Sequence, residues 1–242
     1  MTGHISSPNG TISVMSAIAL KVAFDRWIVP GFEKSQGARL DIVWEPTTVL
    51  MRQIEEGRRA DVVVVIDEAM DRLVEQGVVR ADTRMSIARA VLGIGIKAGG
   101  RKPDLSNSEA FKAALTNADG VAYSRGGASG IYFAGLIERL GITGAIKPVV
   151  IPAGFTAEKV ASGEAELAVQ QTSELMSVPG IEIAGLFPQE YQVSTDFSVA
   201  IFSDALDPEG AGRFVEALVS PQADRAYRNG GLVSRLAPAA SS

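Results

Sequence analysis

The sequence predicts an α/β protein of two lobes, each a mostly parallel sheet flanked by helices. Three observations predict it. Strand-type and helix-type patterns alternate from residue 11 to residue 228, the signature of βα units whose parallel sheets are covered on both faces. The 242 residues suffice for one large core or two of about 100 residues each. No flexible linker divides the chain, so two lobes must be joined by crossing strands, near 84–97 and 190–200. The expected division is 1–86 for the first part of lobe I, 87–192 for lobe II and 193–242 for the rest of lobe I.

Taken in order, 11–15 reads as a strand, 18–37 as a helix, 39–44 as a strand and 48–57 as a helix ending at Gly57. The apolar run 61–66 is a buried strand, and 68–76 a short helix stopped by Gly77. A longer strand pattern covers 87–97, and Gly99-Gly100 opens a polar stretch. Then follow a helix over 108–117, a strand at 121–124, a Gly-rich turn and a helix at 130–140. Strands at 149–151 and 167–170 flank a helix at 156–162. The strand 197–202 precedes helices at 210–218 and 221–228. Trp27 and Trp44 are expected in the core.

Composition excludes several chemistries. Hydrophobic residues make up 46% and charged residues 21%, a globular balance, and the net charge of −5 offers no nucleic-acid footprint. With no cysteine, thiolate zinc sites, disulfides and cysteine nucleophiles are absent. The single histidine, His4, lies in a polar start expected to be disordered, so neither histidine acid–base chemistry nor a metal site is expected, and no cofactor is called for. No apolar run approaches a membrane span, so no membrane insertion is expected. No signal peptide is visible, so the sequence as it stands reads as cytoplasmic, or periplasmic if a leader was removed.

Ligands of such sheets bind beyond the carboxyl ends of the strands. The polar residues directly after predicted strands are therefore the candidates: Ser16, Glu45, Thr47, Thr48, Asp67, the turn from Arg125 to Ser129, Gln170 and Gln171. The junction at 45–48 is the most informative. It ends a strand with Glu45 and starts a helix with two hydroxyl residues, aiming hydroxyls and backbone N–H groups at one point where an anion would be favoured by the helix dipole. The plainer alternative is that Thr47 or Thr48 caps its own helix. Other features are set aside. Gly93-x-Gly95 opens no helix and so is no dinucleotide fingerprint. Asp61 starts a buried strand, while Asp67, Glu68 and Asp71 fit a first helical turn better than a metal cluster. Glu55-Glu56 and Arg58-Arg59 read as a solvated helix end, and Ser129 has no histidine to activate it as a nucleophile.

The segments TTVLMRQIEEG–ADVVVVIDEAMDRLVEQGVV (47–79), ASGIYFAGLIERLG (128–141), AEKVASGEAELAV (157–169) and LVSPQADRAYRNGGL (218–232) resemble, in order, the type II periplasmic-binding-protein fold. Within it they resemble the molybdate-binding proteins of ABC importers. The resemblance implies two lobes closing on one small anion, held by hydroxyls and backbone N–H groups. The sequence departs from that pattern at informative places. Ala19 stands where the family offers a first serine, leaving Ser16 nearest; Thr47 keeps the second hydroxyl; Gln170-Gln171 replace a tyrosine; and Arg125 adds a guanidinium. Tetrahedral metal oxyanions are bound there by neutral donors, whereas an arginine suits a planar carboxylate.

The resemblance therefore implies two functions. One is a cofactor-free isomerase of an unsaturated polycarboxylate, similar to aconitate isomerases, working by a 1,3-proton shift. Arg125 and Thr47 would clamp carboxylates, with Ser16 and Thr48 adding hydroxyls. The amides of Ser129 and Gly130 would stabilise developing charge, and Gln170 or Gln171 would orient the substrate. Glu45 is the candidate base and Tyr123 the second choice. The alternative is the solute-binding component of an importer for a small oxyanion or carboxylate, whose partner would be the importer permease.

Overall fold

The computed structural model describes residues 3–4, 10–152 and 154–236. The chain divides into two compact units, one of Met1–Ala90 with Thr195–Ser242 and one of Val91–Ser194.

The strands of the first unit are β1 (Thr11–Ala17), β2 (Arg39–Glu45), β3 (Val62–Ile66), the start of β4 (Met85–Lys97), β9 (Ser194–Ile201) and β10 (Val233–Ser234). Their order is β2-β1-β3-β9-β4, with β10 antiparallel on β4. β1 runs parallel to β2 and β3, while β9 returns antiparallel to β3. Alternation along β3 shows why the sheet is buried on both faces. Val62 and Val64 enter a core with Phe24, Phe214 and Tyr227; Val63 and Val65 enter another with Leu50, Met70 and Phe202. The helices on these faces are α1 (Val29–Gln36), α2 (Thr47–Glu55), α3 (Asp67–Glu75), α8 (Pro208–Leu218) and α9 (Pro221–Asn229).

The second unit holds the rest of β4 with β5 (Val121–Ser124), β6 (Pro148–Ile151), β7 (Leu167–Gln171) and β8 (Ile181–Leu186). The order is β4-β7-β5-β6; β5 is parallel to both β6 and β7, and β4 pairs antiparallel with β7 and β8. Its helices are α4 (Ser108–Asn117), α5 (Ala128–Arg139), α6 (Ala157–Ala161) and α7 (Thr172–Leu175). Leu167 and Val169 face one core with Phe111 and Phe133, and Ala168 faces a smaller one with Val160 and Leu175.

The departures from expectation have local causes. The helix expected over 18–37 is composite: a 3-10 turn at Ile18–Leu20, an α turn at Lys21–Ala23, a π segment at Phe24–Ile28 and then α1. Pro30 lacks an N–H and its ring would strike the carbonyl four residues earlier. The Val29 amide instead reaches back to the Phe24 carbonyl, the wider bond of a π turn. Trp27, expected in the core, lies on this widened turn with 38% of its surface exposed, whereas Trp44 packs edge-on against Phe24. Gly3–His4, expected to be disordered, forms a two-residue parallel pairing with Arg58–Arg59. β8, β10 and α7 were not expected; β8 is only half-buried and bulges between Ile183 and Gly185, which blurs its alternation.

Candidate functional site

In the first unit, the parallel strands β1, β2 and β3 end at Ala17, Glu45 and Ile66. Glu45 is half-buried and pairs in register with Ala17. Pro46 occupies the N-cap of α2, and no side chain caps that helix, which overturns the plainer reading of Thr47 and Thr48 as caps. Thr47 is half-buried and Thr48 exposed, and among the described residues neither hydroxyl has a hydrogen-bond partner. Their amides lie in the first helical turn, where no carbonyl of the same helix can satisfy them. Ser16 differs. It is fully buried within β1, its hydroxyl turned toward the Ala17 carbonyl at 3.4 Å, so it offers no free donor at the strand end.

Beside β3, an ionic cluster went unanticipated. Phe197 of β9 stands opposite Ile66, which brings Asp196 and Ser198 beside Asp67 at the start of α3. Ser198 Oγ donates to Asp67 Oδ1 (2.5 Å) and Arg235 to Asp67 Oδ2 (2.7 Å). Arg89 holds both oxygens of Asp196 (2.5 and 2.8 Å), and Arg235 reaches Asp196 at 3.5 Å. The Arg89 hydrogen bond keeps the Asp196 carboxyl below its ordinary pKa. Asp67 thus does more than complement a helix dipole. Sequence offered no signal for it, since its partners lie 131 and 168 positions away.

In the second unit, β5, β6 and β7 all end at one edge of the sheet, because β5 is parallel to both neighbours. Tyr123 is half-buried and stacks edge-on with Phe133 at 5.2 Å. The Arg125 amide donates to the Ile151 carbonyl (2.8 Å); its side chain is exposed and has no ion-pair partner among the described residues. The turn that follows is tight. Ser124 Oγ accepts from the Gly127 amide (3.3 Å), and α5 begins at Ala128, with half-buried Ser129 and buried Gly130 in its first turn. A side chain at 130 could not exist there, since a Cβ would lie 1.8 Å from the Ser124 carbonyl oxygen. The helix start is thereby drawn onto the end of β5.

Gln170 is 6% exposed, and its amide group is engaged within the protein. Oε1 accepts from the Thr156 amide (2.9 Å) and hydroxyl (3.0 Å), and Nε2 donates to the Gly154 carbonyl (3.2 Å). It positions the 154–156 loop, so its side chain is committed within the protein, while Gln171 is half-buried. Gln171 is also the N-cap of α7. Its backbone N–H and the Gln170 side chain both hydrogen-bond to Glu174, a residue the sequence reading did not single out. Burial nevertheless pushes the Glu174 carboxyl up to about 7. The usable sequence signal was position: Glu174 stands three residues past a strand end, although Gln171 lacks the Ser or Thr of an ordinary capping box.

With this geometry in view, comparison with known proteins is informative. A family model described as bacterial extracellular solute-binding protein matches residues 12–233. The chain belongs to this family. Among curated relatives, it is 35% identical over 235 residues to an aconitate isomerase from Pseudomonas sp, spanning 94% of this chain and 89% of that protein. It is 24% identical over 238 residues to the molybdate-binding protein ModA of Escherichia coli (strain K12), spanning 96% and 92%. Among solved structures, the Azotobacter vinelandii periplasmic molybdate-binding protein superposes with a TM-score of 0.70 at 20% identity, over 92% of this chain and 98% of that one. The fold is that of a type II periplasmic-binding-like protein, and membership of the solute-binding family supports a small anion as ligand. No helix among the described residues is long and apolar enough to cross a membrane.

Proposed function

We propose that this solute-binding family member is a cofactor-free isomerase of an unsaturated polycarboxylate, acting by a 1,3-proton shift similar to that of aconitate isomerase. The observation that carries this reading is the 35% identity to the Pseudomonas enzyme over 94% of the chain, against 24% to the molybdate-binding protein. The donor set agrees with it. Arg125 has an exposed guanidinium suited to bidentate capture of a carboxylate. Thr47 and Thr48 supply hydroxyls and first-turn amides for a second carboxylate, and the Ser129 and Gly130 amides face charge developing on the allylic intermediate. Gln171 orients the ligand. Glu45, with Tyr123 as second choice, removes the proton. In this reading the protein works in the cytoplasm.

The alternative is the solute-binding component of an importer, and the molybdate-binding relatives favour it. Two measurements separate the readings. Proton NMR of cis-aconitate with the protein in deuterium oxide is expected to show conversion to the trans isomer. Thermal unfolding is expected to shift upward with cis-aconitate, trans-aconitate or citrate and not with molybdate or tungstate. Stabilisation by molybdate with no turnover of aconitate would replace the isomerase with the importer component.

A further inference from the structure

The proposed proton shift needs a group able to take a proton from one carbon and return it to another near neutral pH, and the second unit contains one that the reading above leaves unused. Glu174 lies in the first turn after β7, on the same sheet edge as the Arg125 turn. Val121 pairs with Leu167 and Ala122 with Ala168, so the two parallel strands, continued in that register, bring Arg125 level with Gln171, three residues before Glu174. The Glu174 carboxyl accepts hydrogen bonds from the Gln170 side chain and the Gln171 amide. Gln170 is itself fixed by Thr156 and Gly154. Glu174 as a whole is half-buried.

We infer that Glu174, rather than Glu45, is the catalytic acid–base group, removing a proton from the methylene carbon of the substrate and returning it to the former vinyl carbon. This rests on the isomerase reading. As the C–H bond breaks, its electron pair forms the new C=C bond; the old double-bond pair takes the proton back from Glu174, so the enzyme ends as it began. Burial raises the carboxyl to about 7, where a general base is both available and strong enough to work. The strands packed against α7 are β7, β8 and, at Gly93 and Gly95, β4. Their titratable groups are Glu182, held by Lys102 and the Gly99 amide, and on β4 Arg89, which is paired with Asp196, and the exposed Lys97.

A purely structural role is the competing explanation, since a Glu at this position closes a capping box. Glu174→Gln separates the two, because glutamine keeps the capping oxygen and loses the titration. Isomerisation of cis-aconitate by the 242-residue chain, followed by proton NMR from pH 5 to 9, is the test. The wild type is expected to show kcat/KM rising through a limb near pH 7. Glu174→Gln is expected to lose about 100-fold or more in kcat, a typical general-base contribution, with KM and the citrate-induced thermal shift within about twofold. Glu174→Asp should recover part of the rate with the limb displaced. If Glu174→Gln keeps its rate and the limb while Glu45→Gln loses both, Glu174 is overturned and the isomerase stands. A wild-type limb absent between pH 6 and 8 overturns Glu174 even if the variant fails to fold. No turnover by the wild type overturns both.

Discussion

Asp61 illustrates how one buried carboxyl can tie together distant parts of a chain. It is 2% exposed and accepts four hydrogen bonds: from the Ser13 amide (2.8 Å) and hydroxyl (2.6 Å), and from the Leu206 and Asp207 amides (2.8 and 2.9 Å). Removing it strands all four donors. Asp61→Ala is expected to lower stability by about 3–5 kcal/mol, the range for unpairing a buried charged acceptor, as measured by urea unfolding. Glu174 works in the opposite sense. Its folded pKa stands above the ordinary 4.5, so its favourable contribution is complete below about 4.5 and is lost as pH rises through 7. Glu174→Gln has no such loss. The variant is expected to match the wild type near pH 5 and to exceed it by about 2–3 kcal/mol at pH 8, read from unfolding midpoints at the two pH values. A stability gain with a loss of rate is the pattern expected where a site holds a group in an unfavourable state.

At the scale of elements, the sequence was most readable where periodicity and punctuation agreed. β3 and its valine run, α4 and α9 all lie where the pattern put them, and the structure adds the Asn107 and Ser220 caps. It was least readable where tertiary contacts decide. The role of Gly93 is one such case. Inside β4, a Cβ at this position would fall 2.6 Å from Thr172 Cγ2 and 3.0 Å from the Gly185 carbonyl oxygen. The glycine exists so that α7 and β8 can close on the strand. Gly93→Ala is expected to cost about 1–3 kcal/mol through overpacking, checked by thermal unfolding. Because α7 carries Glu174, the same substitution should also lower turnover. The candidate site shows the same limit. Its strand-end residues were visible as positions, but which of them are free was not. Ser16 is buried, Gln170 is spent on Thr156, and Glu174 acquires its character only from a fold that surrounds it.

For the whole molecule, ligand binding and stability are one equilibrium. A ligand that binds only the folded chain adds about 2.7 kcal/mol at one hundred times its dissociation constant, so the tricarboxylate panel should rank candidates by affinity without any assumption about turnover. The division into two units also bears on what truncation would do. The segment from Thr195 onward contributes β10, α8 and α9 to the first unit, along with nearly all of β9. From it, Phe197, Phe214 and Tyr227 are buried in the same core as Phe24 and Val62.

That interleaving sets an order of events at the ribosome. Residues 91–194 are contiguous and can collapse as soon as they have left the exit tunnel, whereas the segment up to Ala90 must wait, with its greasy faces open, until the segment from Thr195 onward has been made. Nascent molecules from which residue 194 has just emerged should therefore carry a finished middle and an unfinished beginning, the state in which a holdase would find the most to grip.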